Sequence, residues 1–226
     1  MTVTPSVLRY LALGDSYTCG EGVAPAERWP EQLASRLRDG SRDFGEVRIV
    51  ARTGWTTQEL AAGIEQAGLQ PPYDLVSLQI GVNNQYRGHS PESYRDSLRA
   101  LLAHACKLAG GHAHRVLVPS IPDWGDTPHA RQQQRDRAQV ARELDAYNAL
   151  ARDEAARAGA RWIDITPLSR QTNAGWIGAD GLHPTGAQYA AWVGPIEVAA
   201  RAALLAPLAP PGEREPRPSR HRHTHP

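Results

Sequence analysis

Four short segments of this chain carry residue types that can perform acyl-transfer chemistry together. Gly14-Asp15-Ser16-Tyr17 supplies a hydroxyl, and Thr53-Gly54-Trp55 a backbone N–H with no side chain in its way. Gly81-Val82-Asn83-Asn84 supplies a carboxamide donor. A nucleophile beside two donors is what a site needs to attack a carbonyl and hold the oxyanion that forms. The remaining need is a general base, and Asp180-Gly181-Leu182-His183-Pro184 supplies one. Asp180 lies three residues before His183, across a glycine turn. It can reach one ring nitrogen, fix the tautomer and stabilise the imidazolium, leaving the other nitrogen for a nucleophile. Pro184 suits the first position of a helix, so His183 is expected where a helix starts.

The elements between these segments are those that would bring them together. Residues 8–13 read as a short buried strand stopped by Gly14-Asp15-Ser16. Residues 46–51, 74–80, 115–119 and 161–165 read as four more strands. Helices are expected over 30–37, over 57–68 with Thr56 as cap, and from Ser90-Pro91 to about Lys107. A long helix is expected over 131–158, with Val140, Leu144, Tyr147 and Ala151 on one face and Gly159 as stop. A last helical region follows His183-Pro184, and Gly194-Pro195 is expected to interrupt or kink it. Strands alternating with helices argue for an α/β fold with one parallel sheet covered on both faces. In such sheets ligands sit beyond the carboxyl ends of the strands, where the strand order reverses. The first three segments each follow a strand, so their residues can converge on that edge.

These blocks resemble the GDSL/SGNH hydrolase family, named for the Ser, Gly, Asn and His of its motifs. The resemblance covers about residues 8–205. It implies a three-layer, flavodoxin-like sandwich with a five-stranded parallel sheet in a single domain. It implies Ser16 as nucleophile, Asp180 and His183 as the rest of a catalytic triad, and Gly54 and Asn83 as oxyanion donors beside the Ser16 N–H. Two positions depart from the pattern. Asn84 stands where the family more often has Asp, and Arg52 where an Asn is frequent. Each block alone also reads as an ordinary turn; four in order, each after a strand or at a helix start, are a strong signal.

The composition restricts the alternatives. The 226 residues include 25 Lys+Arg against 24 Asp+Glu, a net charge of +1, which gives no electrostatic case for nucleic acid or an anionic membrane as partner. No apolar run approaches about 18 residues, so no transmembrane helix is expected. Two cysteines, Cys19 and Cys106, are too few for a disulfide scaffold or a Cys-based zinc site, and read as thiols of a reducing compartment. The start of the chain carries no secretory pattern, so a cytoplasmic location is expected. From residue 206 the chain is rich in Pro, Arg and His and is expected to be a disordered tail after a domain of residues 1–205. His221, His223 and His225 alternate there without a carboxylate or Cys cluster to complete a metal site. There is no Gly-x-Gly-x-x-Gly, no Walker A lysine, no His-Glu-x-x-His and no Gly-x-Ser-x-Gly elbow. No cofactor or metal is expected, and the oligomeric state is open. Trp29, Trp55, Trp124 and Trp176 fall near loops; each reads first as packing, and several at one sheet edge would wall a pocket. The reading is a serine hydrolase of carboxylic esters acting through an acyl-enzyme on Ser16, on small-molecule esters. With a single Phe and little chain left for a lid, small acyl groups are expected. The alternatives are an acyltransferase of the same fold and a non-catalytic binding module using the same crevice.

Overall fold

The computed structural model describes residues 7–38, 43–171, 173 and 175–207. Its organising element is strand β2 (Tyr10–Gly14), buried at every position, as is β5 (Leu75–Gln79) beside it. β1 (Val7–Leu8) and β3 (Asp43–Phe44) form a separate two-residue parallel pair, too short to have a sequence signature. Strands β4 (Arg48–Ala51), β6 (Val116–Pro119) and β7 (Arg161–Ile163) complete a five-stranded parallel sheet in the order β4-β2-β5-β6-β7. The continuous apolar runs of β2 and β6 are those of strands covered on both faces.

Right-handed crossovers dictate the layers. The chain moves from β2 to β4 in one direction through α2 (Trp29–Leu37), then returns across the sheet through α3 (Thr57–Gln66), α5 (Pro91–Leu108) and α7 (Arg137–Ala158). The reversal puts α2 on one face and the other three on the opposite face. After the short α8 (Thr166–Ser169), the last helix, α9 (Gly186–Leu205), packs on α2, while α5 packs on α7. This is the three-layer, flavodoxin-like arrangement in a single domain, with its switch point between β2 and its two neighbours. Thr56 caps α3 as expected, and Glu59 closes the capping box by accepting from the Thr56 N–H at 2.8 Å.

Three expectations are corrected. The helix expected over 131–158 is two helices, α6 (Pro128–Gln132) and α7. The break falls where Asp136 takes the Ala138 and Gln139 N–H groups on its Oδ1 and so caps α7, and where Gln134 turns left-handed at φ 52°. An Asp offers the backbone an alternative partner, which apolar periodicity does not register. A left-handed non-glycine residue costs about 1 kcal/mol. At the other end of the chain, Pro184 does not open a helix. It pairs with Ile177 in an isolated antiparallel bridge, and α9 begins two residues later at Gly186. α9 then continues through Pro195 rather than breaking there. The expected tail from residue 206, with its three histidines, lies almost wholly outside the described residues.

Candidate active site

β2 hands the chain to a one-turn helix, α1 (Ser16–Cys19). The passage needs glycine at position 14: a Cβ there would lie 2.1 Å from Thr18 Oγ1 and 2.5 Å from the Gln79 carbonyl. Asp15 caps α1 by accepting from the Tyr17 N–H at 3.1 Å, which leaves Ser16 as the first helical residue, buried to 5% exposure. Asp15 is fully enclosed, and among the described residues no cation pairs with it. Burial pushes its carboxyl up to about 7, against the N–H groups of Tyr17, Asp15 itself and Gly81 that favour the charged form.

After β4 the chain turns through Gly54 at φ 84°, a conformation that favours glycine. After β5, Gly81 leads into α4 (Val82–Tyr86), which carries Asn83. These two turns are joined side to side. Asn83 Nδ2 donates to the Trp55 carbonyl at 2.9 Å, using one of its two hydrogens. Arg87 donates to the Gly54 carbonyl at 2.6 Å and pairs with Glu59 at 3.2 Å. Asn84, with no exposure at all, accepts from the Thr57 N–H and donates to its hydroxyl. The departure from the family's Asp thus falls on a position that meets the neutral N–H and hydroxyl of Thr57, with His89 Nδ1 3.3 Å from its amide nitrogen.

The fourth segment folds as a tight turn. Asp180 divides its carboxylate: Oδ1 accepts from the Leu182 and His183 N–H groups at 2.9 and 3.0 Å, and Oδ2 meets His183 Nδ1 at 2.5 Å. Burial works against the Asp180 charge, but the ring and the two N–H groups outweigh it and hold the carboxyl below its ordinary value. His183 therefore sits in a turn ahead of α9, not at the helix entry that the Pro184 argument predicted. The turn is tied to α6 by a bond from the His129 N–H to the Gly181 carbonyl at 2.9 Å. The Tyr17 ring stands edge-on to the imidazole at 5.9 Å.

Ser16, Gly54, Asn83 and His183 all line one cavity of about 210 Å³ at the sheet's carboxyl edge, with Tyr17, Thr53, Val82, Tyr86, Trp124, His129 and Leu182 as its other walls. The expected residues are thus brought together, with Asp180 behind His183. Of the four loop tryptophans, Trp124 walls this cavity, Trp29 is buried on Gln79, and Trp176 borders a separate polar hollow. Trp55 packs on α3, where a Cβ on Gly63 would lie 2.3 Å from its ring. Sequence reading missed Tyr86, His129, Leu182 and Arg87. Tyr86 and Arg87 follow the third segment closely and Leu182 lies within the fourth, so chain position could have pointed to them; His129 reaches the cavity only through the tertiary fold. Cys19 and Cys106 are unpaired and half-buried. Among the described residues no His, Cys, Asp and Glu are grouped to hold a metal, and no helix is long and apolar enough to cross a membrane.

Comparison with known proteins gives the family and the fold. The profile of the GDSL-like lipase/acylhydrolase family matches residues 12–191. An arylesterase of Vibrio mimicus is 24% identical over 179 residues, 78% of this chain and 80% of that protein. Among solved structures, TesA superposes with a TM-score of 0.68 at 19% identity, covering 87% of this chain and 99% of that one. A variant of an acetyl xylan esterase from Geobacillus stearothermophilus gives 0.65 at 18% identity, over 85% and 94%. The esterase EstA of Pseudoalteromonas sp. gives 0.64 at 16% identity, over 87% and 98%.

Proposed function

Since the chain belongs to the GDSL-like lipase/acylhydrolase family and is a carboxylic ester hydrolase, we propose that it works through an acyl-enzyme on Ser16 and favours short acyl groups. The observation that carries this reading is the shared cavity of Ser16, Gly54, Asn83 and His183, with Asp180 bonded to the far side of the imidazole. Asp180 holds the proton on Nδ1, so Nε2 is the basic nitrogen. It takes the Ser16 proton as Oγ adds to the ester carbonyl carbon. The oxyanion is received by the Ser16 and Gly54 N–H groups and the second Asn83 hydrogen. The C–O bond then breaks, His183 gives its proton to the leaving alcohol, and water repeats the sequence on the acyl-enzyme. The cavity is smaller than the roughly 300 Å³ lower end of drug-sized sites, which supports a short acyl chain.

The proposal takes residues 1–205 as the working domain, in keeping with the end of α9 at Leu205, and needs no metal. It also takes the cytoplasm as location, on the two unpaired thiols. The test is a chromogenic ester series from acetate to palmitate, run with and without EDTA, beside labelling by an alkyl phosphonate. The expected results are a fall in kcat/KM with chain length, no effect of EDTA, and label on Ser16 alone. Label on another residue, or turnover by Ser16→Ala, would overturn the mechanism. Ester formation with an added alcohol in place of free acid would mark the protein as a transferase.

A further inference from the structure

The cavity has an end that the proposed chemistry does not use. Tyr86, Trp124 and His129 bound it, with the Tyr86 and Trp124 rings 5.4 Å apart and the His129 ring 6.5 Å from Trp124. The Arg135 guanidinium lies over both aromatic rings, 5.5 Å from the centre of Tyr86 and 5.3 Å from that of Trp124. Arg135 is held there by the interruption between α6 and α7: Gln134 is left-handed, and the Arg135 N–H returns to the Ala130 carbonyl at 2.9 Å. A continuous helix would have carried this side chain elsewhere.

Arg135 has no carboxylate partner among the described residues. The acids on the same stretch of chain are engaged with others. Asp123 pairs with Arg170, and Asp126 with Arg131 and Arg137. Asp136 caps α7, and Glu143 bonds to Gln85 and Gln139. None of the residues lining the cavity is acidic. A cation held on aromatic faces, next to a lining without negative charge, makes that end of the cavity attractive to anions.

From this placement we infer that Arg135 is a specificity-determining residue, and that the cavity prefers esters bearing an anionic group, such as a carboxylate, seated at the Tyr86–Trp124–His129 end. The inference rests on the esterase reading above and names its substrate class. The aromatic rings contact the carbon skeleton of the ester, while the guanidinium supplies the charge that separates an anionic ester from a neutral one of the same shape.

The experiment compares kcat/KM within two pairs of esters of similar size. In one pair the charge is on the acyl side: 4-nitrophenyl pentanoate against mono-4-nitrophenyl glutarate. In the other it is on the alcohol side: phenyl acetate against 4-carboxyphenyl acetate. The expected result is a preference for the anionic member in at least one pair, which weakens as NaCl is raised. Arg135→Gln should lower the anionic-to-neutral ratio in that pair about tenfold, and Arg135→Lys should retain most of it. A ratio is insensitive to partial loss of folded protein, so a merely unstable variant does not mimic the effect. Cleavage of the neutral esters with the same ratio in wild type and Arg135→Gln, or a ratio indifferent to salt, would overturn this inference alone. If wild type cleaved none of the four and Ser16 took no phosphonate, the esterase reading would fall and this inference with it.

Discussion

Asn84 meets Thr57 twice: its Oδ1 accepts the Thr57 N–H at 3.0 Å, and its Nδ2 donates to the Thr57 hydroxyl at 2.9 Å. This buried pair fastens the segment after β5 to the start of α3, and so to the turn that presents Gly54. Asn84→Leu keeps the branched shape, with slightly more bulk, but leaves the Thr57 N–H without its partner and removes the donor to its hydroxyl. At about 1–3 kcal/mol for an unpaired buried group, the variant should unfold at clearly lower urea, with kcat reduced as Gly54 loosens. Urea denaturation checks the first effect. A midpoint within error of wild type would mean that water or another group takes over.

Ser16 and His183 are proposed to act in one step. Ser16→Ala and His183→Ala should each lower kcat by about 10³-fold or more with the fold intact, and the double variant should be little worse than either. The measurement is kcat for all four proteins on one ester. Losses that multiply would show that the two side chains serve different steps.

Asp15 gives stability a pH dependence of unusual sign for a carboxyl. Its folded-state value of about 7 lies above the ordinary 3.8, so its contribution is full below about pH 4 and is lost as pH rises through 7. Asp180 and Glu154 are held low and act oppositely, contributing above about pH 4 and losing their effect as pH falls further. Asp15→Asn cannot ionise. Its unfolding free energy should therefore gain on wild type between pH 5 and pH 8, by on the order of a few kcal/mol. A constant difference between the two proteins across that interval would show that Asp15 is already charged at pH 5.

Gly63→Ala tests whether Trp55 supports the Gly54 turn. In an open helix interior this change stabilises by about 1 kcal/mol. Here the new methyl would sit 2.3–3.1 Å from three carbons of the indole. The expected outcome is a lower Tm and, because Trp55 carries the carbonyl that anchors Asn83, a fall in kcat larger than any rise in KM. A raised Tm with unaltered kcat would mean that the ring swings aside at no cost to the site.

Much of this was readable from the chain because the first three chemical segments each sit at the end of a strand. The apolar runs of β2 and β6 stand out, and so do the Thr56 and Ser90 caps and the Gly159 stop. Pro184 misled because a proline suits bridges and turns as well as first helical positions, and the bridge to Ile177 is a contact that local pattern does not encode. The α6–α7 break was hidden because Val140, Leu144, Tyr147 and Ala151 keep their period on one side of it, while Asp136 reads as one polar residue among many. The cavity wall His129 was invisible for a further reason: it is far in sequence from all four segments, and nothing about a side chain's type says which of two surfaces its element will turn toward the ligand.

The divided carboxylate of Asp180 has a consequence for how the site could be built or lost. One oxygen shapes the turn and the other holds the ring, so the proposed acid–base half of the site is written in four consecutive residues and is in principle portable. The other half is not. Ser16, Gly54 and Asn83 come from segments tens of residues apart and share a wall only because three parallel strands end level with one another. Loosening the sheet would scatter the proposed oxyanion donors while the His183–Asp180 pair persisted in its turn. A decayed relative of this protein would therefore be expected to keep a recognisable Asp-Gly-Leu-His after the ability to hold an oxyanion had gone.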